Sequence, residues 1–216
     1  MEQTESPASV ASRLKDQFAP AYLTLTSIIQ GVALLTLVIR IEATSQRFDA
    51  ADWLLAAATL LAFFGVWHEY LMQALAFVWM PTLLDSVVPF GFLIAELFMA
   101  HFVFGNQRAW LLATGIAFGV GVVASGTSRV QTRSYMQENR GVLRAVAGMS
   151  LVRLALTLTL TVLFLGAWAL YDALHFGQAR TLVAALALVA LGVVIGGTVP
   201  YWNRVLAYAR GAGKSV

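Results

Sequence analysis

The chain has 216 residues, of which 59% are hydrophobic and only 12% charged, with a mean hydropathy of +0.76, where a soluble domain carries roughly a quarter charged residues. That balance excludes a water-soluble domain, and a formal net charge of only +3 argues for membrane topology and lipid contact rather than nucleic acid. Cysteine is absent, which removes disulfides, thiolate ligands and a thiol nucleophile.

Residues 1–20 carry Glu2, Glu5, Pro7, Arg13, Lys15 and Asp16 before any apolar run, unlike a secretory signal, and are expected to form a cytoplasmic tail. Apolar runs able to cross a hydrocarbon core of about 30 Å then recur along the chain. They lack the alternating pattern of lipid-facing strands, so the expected fold is an all-α polytopic membrane helix bundle of about six spans within residues 21–203. The first span is expected over 22–41 and the second over 53–67. The aromatic and apolar stretch 70–80 is too short to cross alone and reads as a cytoplasmic extension of the second helix in preference to an interfacial segment, with Pro81 restarting a third span over 82–104. A glycine-rich fourth span over 110–125 precedes the longest polar stretch, 129–144, read as a basic loop. The fifth and sixth spans fall at 151–170 and 181–199, and 204–216 forms a second cytoplasmic tail.

Placing both termini in the cytoplasm puts ten basic residues inside (Arg13, Lys15, Arg129, Arg133, Arg140, Arg144, Arg153, Arg204, Arg210, Lys214) and four outside (Arg40, Arg47, Arg108, Arg180). This is the asymmetry of cytoplasmic loops, and it suits a bacterial inner membrane. Arg129, Arg133, Arg140 and Arg144 are topology determinants, with anionic-lipid contact as a second reading.

Ionisable residues inside a span are costly and are functional candidates by default. Asp85 and Glu96 are eleven residues apart, three helical turns to within about 20°, so they share a face with Pro89 and Phe92. That stripe suits a water-lined path for cations or protons. The alternative makes Asp85 interfacial and pairs Glu96 with a polar side chain on a neighbouring helix. In the first span Thr24, Ser27, Gln30 and Gly31 form a polar stripe with Thr36 further along, as a pore-lining or a helix-packing face would. Gln30 near mid-span calls for a partner or a water-filled cavity. His68 and Glu69 interrupt an apolar stretch, either as a proton sensor or as an interfacial marker beside Trp67 and Tyr70. Gly115 with Gly119, and Gly192 with Gly196, are small-xxx-small steps that bring helices together within or between subunits. No phosphate-binding glycine loop, HExxH or GxSxG elbow occurs. Neither enzymatic chemistry nor a cofactor is expected, and His101 and His175 are too scattered to argue for a metal or haem site.

Three local features resemble the bacterial relatives of the lysosomal potassium channel family, tetramers of six-span subunits with both termini inside. The first span reads SIIQGVALLTLVIRI from Ser27, similar in rhythm to that family's Phe-Ser-Asp helix; the second ends in Trp67 and His68; the third contains Pro89 and Phe90. Ile28, Ile29 and Gln30 stand where the family has Phe-Ser-Asp before Gly31 and Val32, and its upstream Arg is absent, so that motif's network cannot form in the same way. The resemblance implies a homo-oligomer passing potassium, with Ile28, Val32 and Leu35 as an apolar constriction. The expected function is therefore a channel or transporter subunit for small cations. The rival expectation is a non-conducting assembly or signalling subunit that docks a membrane partner protein through its glycine steps and basic loop.

Overall fold

The computed structural model describes residues 7–79 and 82–212, with side chains over 17–79 and 82–211. The expected restart at Pro81, the tail cation Lys214 and the side chains of Arg13 and Lys15 lie outside that description. Seven helices follow in order: α1 (Pro7–Thr44), α2 (Ala50–Ala76), α3 (Leu83–Phe102), α4 (Gln107–Ser134), α5 (Met136–Ala145), α6 (Met149–Ala169) and α7 (Arg180–Ala212), with no strand among the described residues. All but α5 are long and apolar enough to cross a bilayer, so the chain is an integral membrane protein of six spans.

The helices outrun the apolar windows that mark them. Residues 22–41 are the middle of the 38-residue α1, whose backbone is already helical within the expected tail, and α7 likewise continues into the second expected tail to Ala212. The fourth span expected to end at 125 continues to Ser134, and the basic segment expected as a loop is mostly helical, in the last turns of α4 and in α5. Hydropathy reports where hydrocarbon ends, whereas a helix needs only satisfied backbone bonds and persists into the polar interface. The extension of α2 is realised as far as Ala76 and stops there, with Phe77 to Trp79 non-helical. Buried Asn139 of α5 supplies what the helix no longer does. Its Oδ1 accepts from the Val78 N–H at 2.9 Å, and its Nδ2 donates to the Val78 carbonyl at 2.8 Å and the Thr132 carbonyl at 3.2 Å.

Caps fix the helix starts. Asp49 accepts from the Asp52 N–H at 2.9 Å at the head of α2, and Asn106 accepts from the Ala109 N–H at 3.0 Å at the head of α4. Asp85 serves α3 in the reciprocal sense, its Oδ2 accepting from the Thr82 N–H at 2.7 Å and hydroxyl at 2.8 Å. The spans close a ring in the order α1, α2, α7, α6, α4, α3 and back to α1, with α6 and α7 touching least. We call the end where α1 begins and α7 finishes proximal, and the end holding the turns at 45–49, 103–106 and 170–179 distal.

The distal half is the filled half. Leu37, Leu55, Met99, Trp110 and Leu111 are almost wholly buried there, and the Trp110 indole donates to Thr59 Oγ1 at 2.8 Å. Above them Arg180 bonds Asp49 at 2.9 Å and buried Asp52 at 2.7 Å, while Gln107 donates to the Arg180 carbonyl at 2.8 Å and accepts from Tyr171 at 3.1 Å. Desolvation pushes the Tyr171 phenol above its usual pKa, the Arg180 cation opposing, so it keeps the proton it donates at neutral pH. The proximal half is aromatic. Tyr22 meets Tyr70 and Trp79 edge-on at 5.6 and 6.3 Å, and Tyr70 meets Phe92 at 5.7 Å.

Candidate functional site

The two intramembrane polar residues that most need partners have each other. Gln30 Nε2 of α1 donates to both carboxylate oxygens of Glu96 on α3, at 2.9 and 3.0 Å, and Glu96 is only 1% exposed. The reading of Glu96 as paired across a helix interface is the one realised. No ion pair to Glu96 occurs among the described residues. The carboxyl group therefore sits in a low-dielectric interior against a neutral amide, and its charge is left for a cation or a proton to balance.

The stripe expected along α1 separates into two faces. Gln30 turns inward to α3, while Thr24, Ser27 and Gly31 lie exposed on the outer surface. Beside them Ile28, Val32 and Leu35 project outward, 61%, 45% and 58% exposed. The physical reason is angular: Gln30 stands about 60° from Ser27 and about 100° from Gly31, enough to place it at the α1–α3 contact while they miss it. Thr24 and Thr36 return their hydroxyls to the Pro20 and Val32 carbonyls, at 2.9 Å each, so neither needs a partner outside its own helix.

The acidic stripe of α3 also divides. Glu96 faces α1, whereas Asp85 stands at the proximal rim, capping α3 and accepting from Gln131 Nε2 at 2.8 Å. His68 lies edge-on to Trp202 at 6.5 Å. Glu69 is an ion-pair member, accepting from Arg153 of α6 and from the Trp202 indole of α7 at 3.0 Å. Arg153 is further held over the Tyr201 and Trp202 rings, at 4.3 and 5.2 Å. In the sequence Arg153 counts only as a topology charge; the signal for more is its position inside the fifth span, where an arginine needs a counter-ion. Among the described residues no three His or acidic side chains gather as a metal site.

The glycine steps differ in kind. A Cβ at Gly115 would meet Leu165 Cδ2 at 2.7 Å and Leu165 N at 3.2 Å, and one at Gly119 would meet Thr161 Cγ2 at 3.8 Å, so this step carries the α4–α6 contact. Gly192, Gly196 and Gly31 are open, with nothing within 4 Å. Of the basic segment, Arg133, Arg140 and Arg144 are exposed at the proximal end, while Arg129 donates to Ser150 at 2.7 Å.

All six membrane helices line a cavity of about 210 Å³ in the proximal half. Gln73, Asp85, Ser128 and Gln131 stand at its mouth, and Met99, Phe118 and Leu191 at its deep end. Below them the packed distal core closes it, so the cavity is blind.

Comparison with family models, with curated proteins and with solved structures finds no match to this chain.

Proposed function

We propose that this protein is a subunit of an oligomeric pathway for small cations, potassium being the ion that the family resemblance implies, and that the outer face of α1 lines the pathway. The observation that carries the reading is the two-faced α1. Its inner face is tied to α3 through Gln30 and Glu96, and its outer face sets Thr24, Ser27 and Gly31 beside Ile28, Val32 and Leu35. Around an oligomer axis such a face supplies hydroxyl oxygens near the proximal end and an apolar constriction that gates by dewetting. The blind cavity supports the same placement, because a single bundle closed distally leaves the subunit interface as the route across. The distribution of basic residues supports a cytoplasmic proximal end, in a bacterial inner membrane.

Glu96 has a definite part in this reading. In its ionised form a carboxylate one helix diameter, about 10 Å, from the pathway attracts a monovalent cation by roughly 1.7 kcal/mol at an effective dielectric constant of about 20. Replacement by Gln keeps a hydrogen-bonding partner for Gln30 and removes the charge.

The test is ion flux into liposomes containing only the purified protein, with potassium, sodium and proton gradients compared. Selective potassium uptake is expected, with Glu96→Gln lowering the preference for cations over anions by about tenfold or more. Tight vesicles under every gradient overturn the reading. They would move the weight to a non-conducting subunit whose exposed Arg133, Arg140 and Arg144 dock a membrane partner protein.

A further inference from the structure

We propose that the proximal cavity is a binding site for an uncharged medium-chain amphiphile, an ester or amide of a fatty acid, whose carbonyl lies near the mouth and whose chain fills the apolar depth. This does not rest on the cation pathway, which runs on the opposite side of α1.

The first argument is the gradient along the cavity. Its mouth is ringed by hydrogen-bonding side chains and its depth by Met99, Phe118 and Leu191. Apolar cavities of about 150 Å³ stay dry and take up benzene-sized molecules. A volume of about 210 Å³ therefore has room for a short alkyl chain against its apolar deep end.

The second argument is unpaired donors. Three buried side-chain polar atoms lack a hydrogen-bond partner among the described residues, and two of them, the Tyr70 hydroxyl and the Trp79 indole nitrogen, belong to residues in this cavity's wall. A third donor stands at the mouth. Gln73 Oε1 accepts from Ser128 at 3.1 Å, and its amide N–H2 has no partner among the described residues. An indole N–H can only donate, so the group that satisfies it must bring an acceptor, as must the partner of the Gln73 amide. A carbonyl-bearing head supplies them.

The third argument sets the charge of the head. Arg153 is already spent on Glu69 and on two aromatic rings, so the one guanidinium in the wall is not free for a carboxylate, and His68, the other basic side chain there, lies edge-on to Trp202. Asp85 offers little to an ammonium group, because its Oδ2 takes three donors and its charge stands at the positive end of the α3 dipole. What is left unsatisfied favours a neutral acceptor.

Native mass spectrometry of the purified protein in long-chain maltoside micelles tests this, with 1-monooctanoylglycerol, octanoate and octyltrimethylammonium as probes. One equivalent of monooctanoylglycerol is expected, with each charged probe at least tenfold weaker. Ala117→Phe, which fills the cavity from α4, should weaken binding at least tenfold. Ile116→Phe, on the outer face of the same helix, should leave it unchanged, and Tyr70→Phe should cost about threefold. Should Ala117→Phe show no cooperative unfolding transition of its own, Ser125→Leu serves as the second plug. Equal binding to the plugged variants, charged probes held as tightly as the neutral one, or no retained equivalent would each overturn the proposal.

Discussion

The two ends of the bundle solve the same problem differently. At the distal end Arg180 joins the heads of α2 and α7 through Asp49 and Asp52, Gln107 and Tyr171 extend the network, and the core beneath is filled. At the proximal end an aromatic cluster replaces the clamp, two buried donors have no partner among the described residues against one distally, the Arg40 Nε whose guanidinium lies over Phe104, and the cavity opens. Satisfied polar groups make rigid ends and unsatisfied ones make receptive ends. The distal end therefore reads as the floor that holds the helices, and the proximal end as the side that meets other molecules.

Breaking the floor should give the largest effect. Arg180→Ala leaves Asp52 buried without its cation, which costs about 3 kcal/mol. Thermal unfolding in micelles should show it as the steepest loss among single substitutions, and an unchanged midpoint would mean that the clamp is ornamental. A smaller loss is expected proximally from Asn139→Ala, which strands the Val78 N–H and carbonyl at about 2 kcal/mol in all. Because Val78 precedes Trp79, hydrogen exchange after this change should rise at 77–79 while the distal turns keep their protection. Uniform exchange along the chain would dissolve the contrast between the ends.

Much of the pairing between helices could not be read from the sequence, and the reason is register. Six spans announce themselves because a bilayer demands about 20 apolar residues each time it is crossed. Gln30 and Glu96 also announce themselves one by one, since each is expensive alone in hydrocarbon. That they pay each other's cost depends on the rotation of α1 against α3, which no single-helix periodicity encodes. Asn139 was hidden more deeply, in a segment whose arginines made it look like solvated loop. Pro81, read as a restart of the helix, was the one sign in the sequence that backbone near Val78 would need another partner. An interfacial Asp85 was legible from its place just after Pro81 at the start of the third span, whereas its bond to the Thr82 N–H came only with the structure.

The two glycine steps sharpen the comparison across the wall between the ends, at the smallest scale. Gly115→Ala forces Leu165 aside against its own backbone and should cost about 1 to 3 kcal/mol. Gly192→Ala meets open space in the single subunit, and its effect on unfolding should stay within about 0.5 kcal/mol. A bulkier Gly192→Leu should then be equally silent in unfolding yet change the mass of the assembly in micelles, if a second subunit packs against α7. An unchanged assembly mass would place Gly192 against lipid and leave α1 alone to hold subunits together. A destabilised single bundle would instead mean that α7 turns this face inward. Unfolding read beside assembly mass thus separates a helix packed within the subunit from one packed between subunits, a distinction that the identical small-xxx-small spacing of the two steps conceals.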